Sequence, residues 1–263
     1  MTESLATVVL GGRYEMNGMF SQLRRGIGLR FWLSIAILVC LIFATFLQPV
    51  LFTLRQRENF QQGYHNELVM RALSSRMISS FLPTLAAIPL ASGYLDEVKS
   101  KFVRFCLIRE NYANYLFNHC FSCWVCGGGA VLCGTLLAWG ITILSFMPIE
   151  QSTVGYRDIS FNITAKIMLM FLCGGFWAVV GMTISAFMES QYIAYVSSFV
   201  IYYLLIIFCE RYLPNAFLLY PLNWTKPDVW PFGTLGATIF LLELTAICGI
   251  VFIIRAGKRL REL

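Results

Sequence analysis

Charge is what this 263-residue chain has least of: only 13% of it is Asp, Glu, Lys or Arg, against roughly 25% in an ordinary soluble domain. Histidine is nearly absent too, with His65 and His119 alone. Neither stands in H-E-x-x-H, and no G-x-S-x-G occurs, so the metalloprotease and serine-hydrolase signatures are missing. A phosphate-cradling G-x-x-x-x-G-K-[ST] is missing as well. The one Gly-Lys pair, Gly257-Lys258, has Phe252 where the first glycine belongs, so no nucleotide site follows from this chain. No basic face with interleaved stacking groups is visible, which removes nucleic acid as a partner. Nothing in residues 1–30 reads as a cleaved signal, because no cationic region precedes its short uncharged run.

What is present is apolar. Hydrophobic residues make up 58% of the chain and the mean hydropathy is +0.68. A helix rises about 1.5 Å per residue, so a bilayer core of roughly 30 Å needs about 20 apolar residues. Windows 31–54, 77–95, 120–149, 167–188 and 190–209 hold no formal charge, and 229–254 holds only Glu243. Backbone amides in lipid must find partners within their own segment, so helices are expected. The reading is an all-α integral membrane protein with six spans, at about 31–54, 77–95, 118–148, 166–188, 190–209 and 231–254. The second span carries Pro83 and Pro89 and is expected to be kinked or tilted. In the third, Gly127-Gly128-Gly129 predicts a bend. Gly174, Gly175, Gly181 and Ser185 mark the fourth as a close-packing helix.

Basic residues orient the bundle. With six spans both termini share a side. That side collects Arg13, Arg24, Arg25, Arg30, Lys99, Lys101, Arg104, Arg109, Arg255, Lys258, Arg259 and Arg261, twelve of the 20 Lys and Arg. This places residues 1–30, the stretch after the second span and the basic tail 255–263 in the cytoplasm of a cell-membrane protein. Residues 1–30 alternate Met16, Met19, Phe20, Leu23 and Ile27 with arginines, the pattern of an amphipathic helix on the membrane surface. The segment 210–228 falls outside and is rich in aromatics and proline, suited to the outer interface. His65 and His119 fall on opposite sides. Asn162-Ile-Thr164 and Asn223-Trp-Thr225 match the glycosylation acceptor pattern by coincidence.

Cys120, Cys123 and Cys126 form a C-x2-C-x2-C run, but every third position drifts around a helix surface, and free cysteine packs as a small hydrophobe. No metal site is expected. Glu243 is the one formal charge inside a span. A carboxylate there costs a few kcal/mol and faces a partner helix or a wet path. It is the candidate residue of a substrate path, with a structural carboxyl as the other reading.

Residues 95–106 set an apolar face (Leu95, Val98, Phe102, Phe105, Cys106) against a polar one (Asp96, Glu97, Lys99, Ser100, Lys101, Arg104). Such a helix can lie on the inner leaflet and offer charge to a soluble partner. A plain solvated loop fits the same residues. Asp96-Glu97, Lys101, Phe102, Arg104, Phe105, Leu107, Arg109, Tyr112 and Tyr115, together with the surface helix, six spans and apolar segment before the sixth, resemble the permeases of bacterial ABC-2 type transporters. That resemblance implies that residues 96–109 contain the coupling helix, seated in a groove of a separate ATPase. Asp96, Glu97, Lys99, Lys101, Arg104 and Arg109 would make the polar contacts, and Phe102 and Phe105 would anchor the helix. It also implies a non-catalytic exporter subunit binding no cofactor, with ATP and Mg2+ on the ATPase. A second permease chain would pair with it as homodimer or heterodimer, and the cargo would be a peptide or another amphiphile. A stand-alone secondary carrier or channel is the alternative.

Overall fold

A computed structural model describes residues 22–56, 63–103, 106, 111–150, 160–213 and 216–261. Its helices are α1 (Leu29–Gln56), α2 (Tyr64–Leu73), α3 (Arg76–Ala87), α4 (Gly93–Lys99), α5 (Tyr112–Phe146), α6 (Ser160–Met188), α7 (Gln191–Arg211) and α8 (Gly233–Arg261). No strand occurs among the described residues. Five helices, α1, α5, α6, α7 and α8, are long and apolar enough to cross a membrane, which marks a multi-pass membrane protein.

The centre of the bundle is α6. Of its most apolar stretch 83% is buried, against 22% to 33% for the other four. Small residues make this possible, because helices in lipid associate by close packing rather than by hydrophobic expulsion. A Cβ on Gly127 would lie 2.7 Å from the Ala86 carbonyl oxygen and inside van der Waals contact with Ala178. A Cβ on Gly174 would meet Val131 at 2.8 Å. The glycine run at 127–129 therefore does not bend α5, which is continuous from Tyr112 to Phe146. Its glycines let α3 and α6 approach instead.

The predicted second span departs further from expectation. It is two short helices, α3 and α4, separated by turns at 88–92, and neither is long enough to cross alone. Pro89 explains the break: without an N–H it orphans the carbonyl of Leu85, four residues earlier. The Ser34 hydroxyl of α1 donates to that carbonyl at 2.7 Å, supplying in the protein the partner that lipid cannot. Pro83, by contrast, sits inside α3 without ending it.

Polar groups meet at both ends of this broken segment. Arg76, at the start of α3, faces Glu210 near the end of α7 at 3.8 Å. Asp96 and Glu97 in α4 meet Arg30 and Arg25 beside the start of α1. At the Arg76 end, the Glu150 carboxylate after α5 accepts from the backbone N–H groups of Gly63 and His65, both at 2.8 Å, and so caps α2. Burial pushes the Glu150 carboxyl up, but those two N–H groups and the His65 ring outweigh it and hold it below its usual range.

Candidate functional site

Residues 92–119 carry the densest polar network described. Asn111 starts α5 by accepting from the Ala113 N–H, a typical role for Asn at a helix N-cap. Tyr115 and His119 then follow four residues apart, on one face of α5. That face turns to α4, which enters the bundle beside it. The Tyr115 hydroxyl donates to Glu97 Oε2 at 2.5 Å, and His119 Nε2 lies 3.6 Å from the same oxygen. Arg25 donates from Nη1 to Glu97 Oε1 at 2.7 Å. Glu97 is 9% exposed and His119 only 1%. Burial pushes the Glu97 carboxyl up, but His119, the Tyr115 hydroxyl and Arg25 together hold it below the ordinary carboxylate range. Nδ1 of His119 has no hydrogen-bond partner among the described residues, while Nε2 faces Glu97.

A second strand of the network surrounds Ser92. Its hydroxyl accepts from Tyr195 at 2.8 Å and from Arg30 at 3.0 Å, and it donates to Asp96 at 3.3 Å. Gln191 also donates to Asp96. Four elements are thereby tied together: the start of α1, α4, α5 and the start of α7. Between them lies a cavity of about 430 Å³ bordered by Gln22, Arg25, Arg30, Asp96, Glu97 and His119. Its cations and carboxylates balance. Among the described residues no group of His, Cys, Asp or Glu is arranged to hold a metal ion.

The sequence-predicted residues divide into two sets. Glu97 points into the bundle and Asp96 is half-buried. Lys99, Lys101 and Phe102 are exposed on the turn that leaves α4. Lys101 adopts the left-handed conformation (φ 58°), uncommon for a side-chain-bearing residue, which redirects the chain. Arg25 also lies 4.9 Å above the Phe102 ring. Arg104, Phe105 and Arg109 lie outside the described residues, as do residues 1–21 of the predicted surface helix. Leu95 is fully buried and Val98 nearly so, in a cluster with Tyr94, Tyr115 and Phe252. The first half of the apolar face read as leaflet-bound, Leu95 and Val98, thus packs on protein, and α4 ends at Lys99 in a turn.

Glu243 does not border this cavity. It is exposed on α8, on a stripe with Ile239, Ile247 and Ile250, each more than half exposed. The three clustered cysteines face three neighbours. Cys120 approaches Gly249 of α8, Cys123 donates weakly to the Ala178 carbonyl of α6, and Cys126 packs at Gly26.

Arg25, Ser92, Tyr115, His119 and Gln191 were not singled out as a network from sequence. One signal was available: Tyr115 and His119 stand at helical spacing just inside an apolar span, shortly after an acidic pair. The chain matches no protein-family model, no curated protein and no solved structure.

Proposed function

We propose that the chain is the membrane permease subunit of an ATP-driven exporter in a cell membrane, working with a separate ATPase that binds ATP and Mg2+. In this reading the chain from α3 to the start of α4, residues 77–95, makes a sixth crossing that ends before Asp96, and both ends of the chain lie in the cytoplasm. The observation that carries it is the pairing of an exposed, basic turn with a buried lock. Lys99, Lys101 and Phe102 protrude, while Asp96 and Glu97, shortly before them, are bonded to two other helices, α5 and α7, and to the Arg25 segment. A push on such a turn is delivered to the bundle rather than absorbed by a loose loop. Asp96 and Glu97 then position the turn, and Lys99, Lys101, Arg104 and Arg109 meet the ATPase, with Phe102 and Phe105 as anchors. The exposed Glu243 stripe faces a second permease chain or the cargo path, because lipid alone would leave a carboxylate at a cost of about 2.5–3.5 kcal/mol. The cargo is a peptide or other amphiphile.

The test is co-purification with an ATPase carrying G-x-x-x-x-G-K-[ST], followed by ATP hydrolysis in vesicles. Lys99→Glu with Lys101→Glu should cut the permease-dependent hydrolysis at least tenfold while the protein stays folded. Unchanged hydrolysis would overturn the reading. A secondary carrier is the second reading, and the broken α3–α4 segment favours it, since carriers use discontinuous helices near their sites. Transport by the solitary chain, without ATP, would select it.

A further inference from the structure

A second cavity lies at the other end of the broken segment, where α3 meets α7. It measures about 510 Å³ and is bordered by Arg76, Ser80, Tyr202, Tyr203, Ile207 and Glu210, among others. Its chemistry is amphiphilic. One border is apolar and outward-facing: Met77, Phe81 and Ile207 are each more than 40% exposed. The other carries one cation and one anion that barely engage. Arg76 and Glu210 stand 3.8 Å apart with side chains 81% and 50% exposed, whereas a formed charge-assisted bond closes to about 2.7–2.9 Å. Tyr220 donates to Glu210 at 3.0 Å, on the same Oε1 that faces Arg76. Deeper in, the Tyr202 hydroxyl sits on a residue 2% exposed, beside the Ser80 hydroxyl. Ser80 donates to the Arg76 carbonyl oxygen and leaves its own oxygen to face Tyr202.

We infer that this cavity binds the headgroup of a zwitterionic phospholipid. The phosphate sits against Arg76, the ammonium against Glu210 and the Tyr203 face, and an acyl chain runs down Met77, Phe81 and Ile207. Each charge of the loose pair exchanges a distant partner for a close one. A guanidinium suits phosphate, and a carboxylate beside tyrosine rings suits an ammonium. The buried Tyr202 hydroxyl gains a further polar partner beside Ser80. An anionic lipid would satisfy Arg76 but set its charge beside Glu210, so net charge alone does not make a ligand. This inference goes beyond export and needs no ATPase.

The experiment is native mass spectrometry of the purified chain in detergent, titrated with phosphatidylethanolamine or with phosphatidylglycerol at matched concentrations. One phosphatidylethanolamine should be retained at least fivefold more strongly than phosphatidylglycerol. Arg76→Gln and Glu210→Gln should each lower that retention fivefold or more. Both are exposed, so thermal unfolding should stay within a degree or two of the parent. Tyr202→Phe, which keeps the ring, should weaken retention about threefold. Equal retention of the two lipids, or phosphatidylethanolamine retention unchanged in Arg76→Gln and Glu210→Gln, overturns the inference. A chain that binds the lipid yet stimulates no ATPase would keep this inference and lose the exporter reading.

Discussion

Replacing Glu97 is the sharpest perturbation of the network at the α4–α5 junction. The carboxylate takes one hydrogen bond from Arg25 at 2.7 Å and one from Tyr115 at 2.5 Å. Bonds to a charged group contribute about 1.5–3 kcal/mol each. The Arg25 bond deserves the lower figure, since that side chain is 53% exposed and regains water when released. Glu97→Ala strands the Tyr115 hydroxyl and should cost about 3–5 kcal/mol, the usual penalty for breaking a buried charged pair. Glu97→Gln keeps an acceptor for Tyr115 and should cost about 1–2 kcal/mol, or roughly 3–6 °C in a chain of this size. The pH dependence has a fixed sign. The folded-state pKa of Glu97 is lowered, so its stabilisation is fully present above the ordinary carboxylate pKa and is lost as pH falls through the lower folded value. Thermal unfolding of parent and Glu97→Gln in detergent, from neutral to acid pH, measures this. The gap should be widest at neutral pH and shrink below the usual carboxylate range. Equal midpoints at neutral pH, or a gap that survives strong acid unchanged, would refute the assignment.

Two further outcomes follow from the packing. Glu150→Gln removes the charge that receives the Gly63 and His65 N–H groups and should destabilise the chain by about 1–2 kcal/mol at neutral pH. That difference should fade in acid, because the Glu150 pKa is also lowered; its absence at neutral pH would show that the cap contributes nothing. Gly127→Ala should cost about 1–3 kcal/mol by overpacking against Ala86 and Ala178, whereas Gly140→Ala, whose Cβ meets nothing within 4 Å, should be neutral or gain about 0.5–1 kcal/mol from helix propensity. Equal effects of the two in thermal unfolding would contradict the close-approach argument.

How far the sequence reaches depends on whether the deciding physics is local. The limits of α7, Gln191–Arg211, nearly coincide with the apolar window 190–209, because the bilayer requirement acts on each segment by itself. The fate of Pro89 is not local. A proline-bearing segment can kink or break, and the choice turns on whether another helix takes the orphaned carbonyl, here through Ser34, 51 residues away along the chain. The same holds for Leu95 and Val98. A helical wheel separates apolar from polar faces, but lipid and protein are equally apolar, so the wheel could not tell a leaflet-bound face from a packed one. Three consecutive glycines pose a similar ambiguity, since glycine weakens a helix and also admits a neighbouring backbone. The closeness of Ala86 and Phe171 to that run decides for the second.

The two ends of the broken segment differ in how firmly they are held, and the difference follows from burial. At α4 the anchoring carboxylate is nearly enclosed and its bonds are short. At α3 the Arg76–Glu210 pair is long and open to its surroundings, and exposed pairs of that kind contribute about 0–1 kcal/mol. A continuous helix would transmit a displacement from one end to the other. Here the turns at 88–92 break the regular helix, and α4 is bonded to α5 and α7 independently of α3. The fixed end carries the basic turn and the loose end borders the amphiphilic cavity. Under the proposed exporter reading, force applied to the turn would enter the bundle through the α5 and α7 contacts of Glu97 and Asp96, and the cavity at Arg76 would feel it through its α7 wall rather than along the α3–α4 segment itself.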